Sequence, residues 1–120
     1  NFIRDFGPVG LVGYCMGGSI AWIAATRDSG VNASVSYYGG NVIDFVEEKP
    51  KIPCLLHFGE KDSTIPLSDV DKITSSHPEV QHFVYENADH GFNCDLRKSY
   101  DANSSKLALE RTLEFLDKNL

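Results

Sequence analysis

With 120 residues, 42% apolar and 23% charged, the chain has the size and make-up of one soluble globular domain, residues 1–120. A net charge of −6 without any Lys/Arg cluster argues against a nucleic-acid surface, and no run approaches the ~18 apolar residues of a membrane helix. Cysteines at 15, 54 and 94 fit neither a disulfide framework nor a paired metal site, so free thiols, a reducing cytoplasmic setting and no metal are expected.

The first predicted strand covers residues 9–13 and runs into Gly13-Tyr14-Cys15-Met16-Gly17-Gly18, after which residues 16–27 read as a helix with Trp22 in the core. A strand, a glycine-flanked cysteine and a helix make the pattern of a nucleophile elbow. The turn is strained, so the positions two residues either side of the cysteine should lack bulk. The sulfur would also sit at a helix N-terminus, whose dipole favours a thiolate. Asp28-Ser29-Gly30 stops the helix, with Gly30 expected as its left-handed cap.

Residues 33–38 form the next strand, ending in Tyr37-Tyr38-Gly39-Gly40, where the tyrosines either line a pocket or pack. A short turn near 42–47 leads to Pro50 and Pro53, which bracket the strand at 53–58. Within it Cys54 reads as a small hydrophobe and His57 as a buried, hydrogen-bonded core residue. The loop Gly59-Glu60-Lys61-Asp62-Ser63-Thr64-Ile65-Pro66 offers Asp62 as a catalytic acid or as a turn aspartate. A helix at 66–74, a strand at 81–85 and a loop carrying His90 before Gly91 come next, with His77 and His82 expected in solvent. The last helix, 100–118, shows an apolar stripe of Leu107, Leu109, Leu113, Phe115 and Leu116. This alternation predicts an α/β fold, a mostly parallel sheet of about four strands with right-handed crossovers.

Nucleophile, acid and histidine should follow in that order. Asp62 lies 47 residues after Cys15 (62 − 15) and His90 another 28 beyond (90 − 62), each gap being a βαβ-type spacing. Ligands in such sheets sit at the carboxyl ends of the strands, where the three would meet.

The elbow, Tyr37-Tyr38-Gly39, the loop 59–66 and Ala88-Asp89-His90-Gly91-Phe92 together resemble the dienelactone hydrolase (carboxymethylenebutenolidase) family, and residues 108–116 resemble its last helix. The resemblance spans nearly the whole chain but only the C-terminal half of the family's α/β-hydrolase fold, and so implies a truncated three-layer sandwich. It implies catalytic roles for Cys15, Asp62 and His90, an oxyanion-hole N–H on Met16, and substrate contacts from Tyr37, Tyr38 and Phe92. It further implies a small ester or lactone substrate and no cofactor. The family's preceding half would supply a second oxyanion donor, an acidic residue restraining the resting cysteine, and a substrate-binding arginine. A carboxylate-binding arginine four residues after the family's histidine corresponds here to Cys94, while Arg97 lies off the motif position. A broader carboxylesterase of the family therefore stands beside a dienelactone hydrolase.

In the implied mechanism His90, oriented by Asp62, takes the Cys15 proton or holds a thiolate–imidazolium pair, and a thioester forms and is hydrolysed. Cys15 is then expected to alkylate well below the ordinary thiol pKa of about 8.5. A reading from another class is a non-catalytic α/β module that needs its missing half or a second copy. Val9, Gly10, Leu11 and Val12 would in that case be an apolar sheet edge with no gatekeeper beyond Pro8, prone to self-association.

Overall fold

The computed structural model of the protein describes residues 4–120. Strands β1 (Gly10–Tyr14), β2 (Ala33–Tyr37), β3 (Cys54–Gly59) and β4 (Gln81–Tyr85) pair in chain order into one wholly parallel sheet. Helix α1 (Met16–Thr26), a 3-10 turn at Val42–Phe45 and helix α2 (Leu67–Ser76) connect successive strands, and α3 (Ala102–Asn119) closes the chain. Each crossover steps to the adjacent strand in the same direction, so right-handedness puts all three on one face. Helix α3 packs on β2 and β3 from the other face, which gives three layers.

Strand alternation explains both interfaces. On β2, Ser34 and Ser36 face α1, and the Ser34 hydroxyl donates to the Ala21 carbonyl at 2.6 Å, so the helix lies close over small side chains. Tyr37 faces α3, sharing a 2.8 Å hydrogen bond with the Thr112 hydroxyl. Register then sets Tyr14, Tyr37, His57 and Phe83 side by side across all four strands. Their rings form a continuous row, with centroids 4.5, 4.4 and 6.1 Å apart.

His57 is sealed in that row and fully satisfied: Nδ1 meets the Tyr85 hydroxyl at 2.7 Å and Nε2 meets Thr112 at 2.9 Å. Burial, helped by the Arg111 charge, pushes its pKa down to about 3, so the ring is neutral. An unfolded histidine titrates near 6.5, so between the two values the unfolded chain binds the extra proton. This contribution to stability is complete above about pH 6.5 and is lost as pH falls toward 3, by at most about 1.4 kcal/mol per pH unit.

Three expectations are corrected. The face α3 buries is Ser104, Ala108, Thr112 and Phe115, while Leu107, Leu109 and Leu113 are exposed. The sheet beneath carries the hydroxyls of Tyr37 and Tyr85 and the ring of His57, and a small polar residue such as Thr112 can bond to two of them where leucine cannot. His77 is buried, its Nε2 2.6 Å from the Val46 carbonyl and its ring edge-on to Trp22. Gly30 does have a positive φ of 84°, but α1 ends four residues earlier at Thr26 and is capped by the Arg27 N–H on the Ile23 carbonyl.

Candidate active site

Cys15 occupies the one-residue turn between β1 and α1 with φ 56° and ψ −119°, a conformation that non-glycine residues rarely hold. Its N–H donates to the Tyr37 carbonyl at 3.1 Å, and its own carbonyl accepts from Gly18 and Ser19. The turn is tight because of Gly13: a Cβ there would stand 1.9 Å from the Gly17 carbonyl oxygen. The need for small residues is one-sided, since a Cβ on Gly17 itself would meet nothing within 4 Å. Met16, the first residue of α1, has an N–H with no acceptor among the described residues, as a helix N-terminus leaves it.

Asp62 follows β3 in a turn that its own carboxylate organises. Oδ1 accepts from the Thr64 N–H at 2.9 Å, the Thr64 hydroxyl at 2.5 Å and the Ile65 N–H at 3.2 Å. Oδ2 is left for His90, whose Nδ1 lies 2.7 Å away, and the carboxylate is fully buried. Asp62 is thus a turn aspartate and the histidine's partner at once, the two readings its sequence context left open.

The loop after β4 is held against the end of β3. The Ala88 carbonyl accepts from Lys61 N–H at 2.8 Å, and a Cβ on Gly59 would stand 2.5 Å from that same oxygen. Without a side chain at Gly59 the Ala88 carbonyl can close onto β3, which carries His90 to Asp62 two residues further on. Thr64 completes the pair, its hydroxyl 3.1 Å from His90 Nδ1. An Nδ1–H donating to the buried carboxylate leaves Nε2 unprotonated, the tautomer a general base needs. Sequence spacing had no signal for Thr64, because its role comes from the Asp62 turn.

Tyr38, at φ 40°, lies with its ring 5.1 Å from that of His90 and 5.1 Å from that of Phe92. Burial first, and then the neighbouring Cys15, push its phenol well above the usual range. Tyr38 therefore borders the cysteine and the histidine. Phe92 is wholly buried behind it, and Tyr37, expected as a substrate contact, is instead a core residue whose hydroxyl is tied to Thr112.

Two residues outside the motif also reach this place. A Cβ on Gly91 would stand 2.8 Å from both Cδ and Nη1 of Arg97, so that side chain lies across the residue after His90. Its guanidinium has no carboxylate partner among the described residues. Burial pushes the Cys15 thiol up from its ordinary value; Arg97 opposes the rise, while Cys94 and Asp62 add to it. Burial thus works against the easy ionisation expected from the helix N-terminus. Cavities of about 430 and 280 Å³ open between β4 and α3.

The family model "Dienelactone hydrolase family" matches residues 4–120. The carboxymethylenebutenolidase of Pseudomonas putida is 36% identical over 115 residues, an alignment covering 92% of this chain and 48% of that protein. A Klebsiella pneumoniae structure provisionally described as a dienelactone hydrolase superposes with a TM-score of 0.80 at 30% identity, over 88% of this chain and 50% of that one. An esterase from Pyrococcus furiosus shares the fold at a TM-score of 0.75 and 15% identity, over 98% of this chain and 58% of its own. The chain spans about half the length of the curated relatives it matches. It belongs to the dienelactone hydrolase family.

Proposed function

We propose that the chain carries the catalytic centre of a hydrolase of carboxylic esters or lactones, with Cys15 as nucleophile, His90 as base and Asp62 as the group that orients it. The observation that carries this is the 2.7 Å bond from His90 Nδ1 to a fully buried Asp62 carboxylate, beside a cysteine on a strained strand-to-helix turn. His90 takes the Cys15 proton, so that the sulfur attacks the carbonyl as a thiolate. The sulfur adds to the carbonyl carbon, the oxygen gains charge facing the Met16 N–H, and the alcohol leaves with the proton from His90. Water activated by the same histidine then cleaves the thioester. Thioesters form readily from activated esters and lactones and poorly from amides, which sets the substrate class.

Arg97 supports a preference within that class. An exposed guanidinium without a carboxylate partner among the described residues, held across Gly91, suits esters or lactones bearing an anionic group, so the role the sequence leaves vacant at Cys94 passes to a residue three positions on. This favours a dienelactone hydrolase-like specificity over a broad carboxylesterase. Free thiols at all three cysteines suit a reducing, cytoplasmic setting, and among the described residues no helix is long and apolar enough to cross a membrane. Release of p-nitrophenol from p-nitrophenyl acetate tests the reading. The rate is expected to be low, since a single oxyanion donor in place of two costs about 10²–10³. Cys15→Ala should reduce it to the buffer rate; a Cys15→Ala chain that keeps the wild-type rate refutes the assignment.

For assembly, the unpaired outer edge of β1 is proposed to join a second copy or a completing segment. Leu109 and Leu113 on α3 and Leu120 just beyond it are exposed, with Leu116 and Leu120 lying over Gly10 of that strand, so edge and helix form one apolar surface. Light scattering of this chain at micromolar concentration is expected to show a dimer or larger species. A monomer whose Gly10 and Val12 amides, which point away from β2, exchange freely contradicts it.

A further inference from the structure

Helix α3 lies over β2 and β3, and β4, the next strand outward, is an edge of the sheet. Phe83, in register with His57, and Tyr85, bonded to it, face the α3 side of β4. Arg111 reaches both from the helix. Its guanidinium carbon lies 3.9 Å from the Phe83 ring centroid and 5.4 Å from that of Tyr85. The side chain lines both cavities between β4 and α3, so the guanidinium stands at their junction. The larger, of about 430 Å³, falls in the size range of small-molecule sites. Pro53, Cys54, Phe83 and Phe115 give it an apolar wall. It lies toward the amino ends of β3 and β4, whereas Cys15, Asp62 and His90 gather at the carboxyl ends.

Arg111 is half-buried and makes no ion pair among the described residues. The more exposed Arg27, by contrast, is held by both carboxylate oxygens of Glu48, at 3.0 and 3.1 Å. Glu79, Glu114 and Lys118 also border the larger cavity, but all three are exposed, and neither carboxylate meets Arg111. A cation drawn partly out of water without a counter-ion is costly. Contact with Phe83 occupies the face of the guanidinium and leaves the donors along its edge for a planar acceptor. We propose that this cavity is a second binding site, for a small monocarboxylate with a ring-sized apolar body. The carboxylate pairs with the edge of Arg111, and the body lies against Phe115 and Pro53. Glu79 and Glu114 at the rim repel a second negative charge, which restricts the ligand to one. Carboxylic acids are also what the proposed hydrolysis releases, but the site is inferred from Arg111 and its cavity alone.

Titration of the ¹⁵N-labelled 120-residue chain with sodium benzoate, followed through its amide resonances, tests the site. Saturable shifts are expected at Cys54, Phe83, Arg111 and Phe115. Benzamide matches benzoate in shape without the charge, and acetate carries the charge without the ring. Each should bind at least about tenfold more weakly than benzoate. Arg111→Met keeps an apolar stem over Phe83 and should weaken benzoate about tenfold or more, with circular dichroism confirming the fold. No saturable shift at these amides, benzamide or acetate binding as well as benzoate, or undiminished binding by folded Arg111→Met overturns the proposal. The comparison of the three probes uses the wild-type chain, so it decides even if the variant does not fold. Shifts confined to amides around Cys15 and Arg97 also overturn it, and leave the hydrolytic reading intact.

Discussion

Asp62→Asn is expected to lower kcat for p-nitrophenyl acetate by about 10²–10⁴ while leaving the fold in place. The reason lies in the three donors on Oδ1, from the Thr64 N–H, the Thr64 hydroxyl and the Ile65 N–H. An asparagine must put its carbonyl oxygen there, because its amide would oppose the two backbone N–H donors, whereas the Thr64 hydroxyl could turn to accept. The NH₂ then faces His90 Nδ1, which turns acceptor, and the ring proton moves to Nε2. A histidine in that tautomer cannot take the proton of Cys15. His90→Ala removes the base altogether and should cost at least about 10³. The two losses should not multiply, since the residues act as one unit; a double variant much slower than His90→Ala would show independent roles.

Gly13→Ala should be the most destabilising single substitution in the elbow. The new Cβ would lie 1.9 Å from the Gly17 carbonyl oxygen, and both groups are backbone, so no rotamer change relieves the contact. A cost above about 4 kcal/mol is expected, a large share of the roughly 5–15 kcal/mol that holds a domain together. Thermal denaturation followed by circular dichroism should find the variant largely unfolded at room temperature. Gly17→Ala is the internal comparison, because its Cβ has open space and alanine is better by up to about 1 kcal/mol inside a helix. It should melt no lower than wild type. Equal melting of the two variants would contradict the account of the turn.

The parts of the molecule that follow from local pattern were legible in the sequence. The glycine spacing around Cys15, the apolar run at β3 and the helix after the elbow each depend on a few neighbouring residues, and the strands fall within a residue of their expected limits. The buried state of His57 also followed from its apolar neighbours. What the pattern could not show is which stripe of α3 meets the sheet. Leucine periodicity pointed to Leu109 and Leu113, but the sheet presents two hydroxyls and an imidazole, and the Thr112 stripe answers them. Hydrophobic period ranks stripes by apolarity, whereas packing also has to satisfy buried polar groups.

At the site, Thr64 and Arg97 stayed hidden for a related reason. Thr64 matters because the Asp62 turn folds its hydroxyl back onto the carboxylate and the histidine. Arg97 matters because a turn at Cys94 and the positive φ of Gly91 return a side chain six residues past Gly91 to that glycine. Neither has a fixed spacing from its partner that a motif could encode. The burial that raises the Cys15 thiol likewise comes from the tertiary packing and not from its neighbours in sequence.

The central claim is that Cys15 carries the acyl group in hydrolysis, and trapping that thioester tests it most directly. The chain is mixed with excess p-nitrophenyl acetate, quenched in acid within the first turnover, and its peptides are mapped by mass. The account predicts one acetyl per chain, on Cys15, labile to hydroxylamine at neutral pH and absent from both Cys15→Ala and His90→Ala. Acetyl groups on lysines or on Cys94, with Cys15 unmodified while p-nitrophenol is being released, would contradict it.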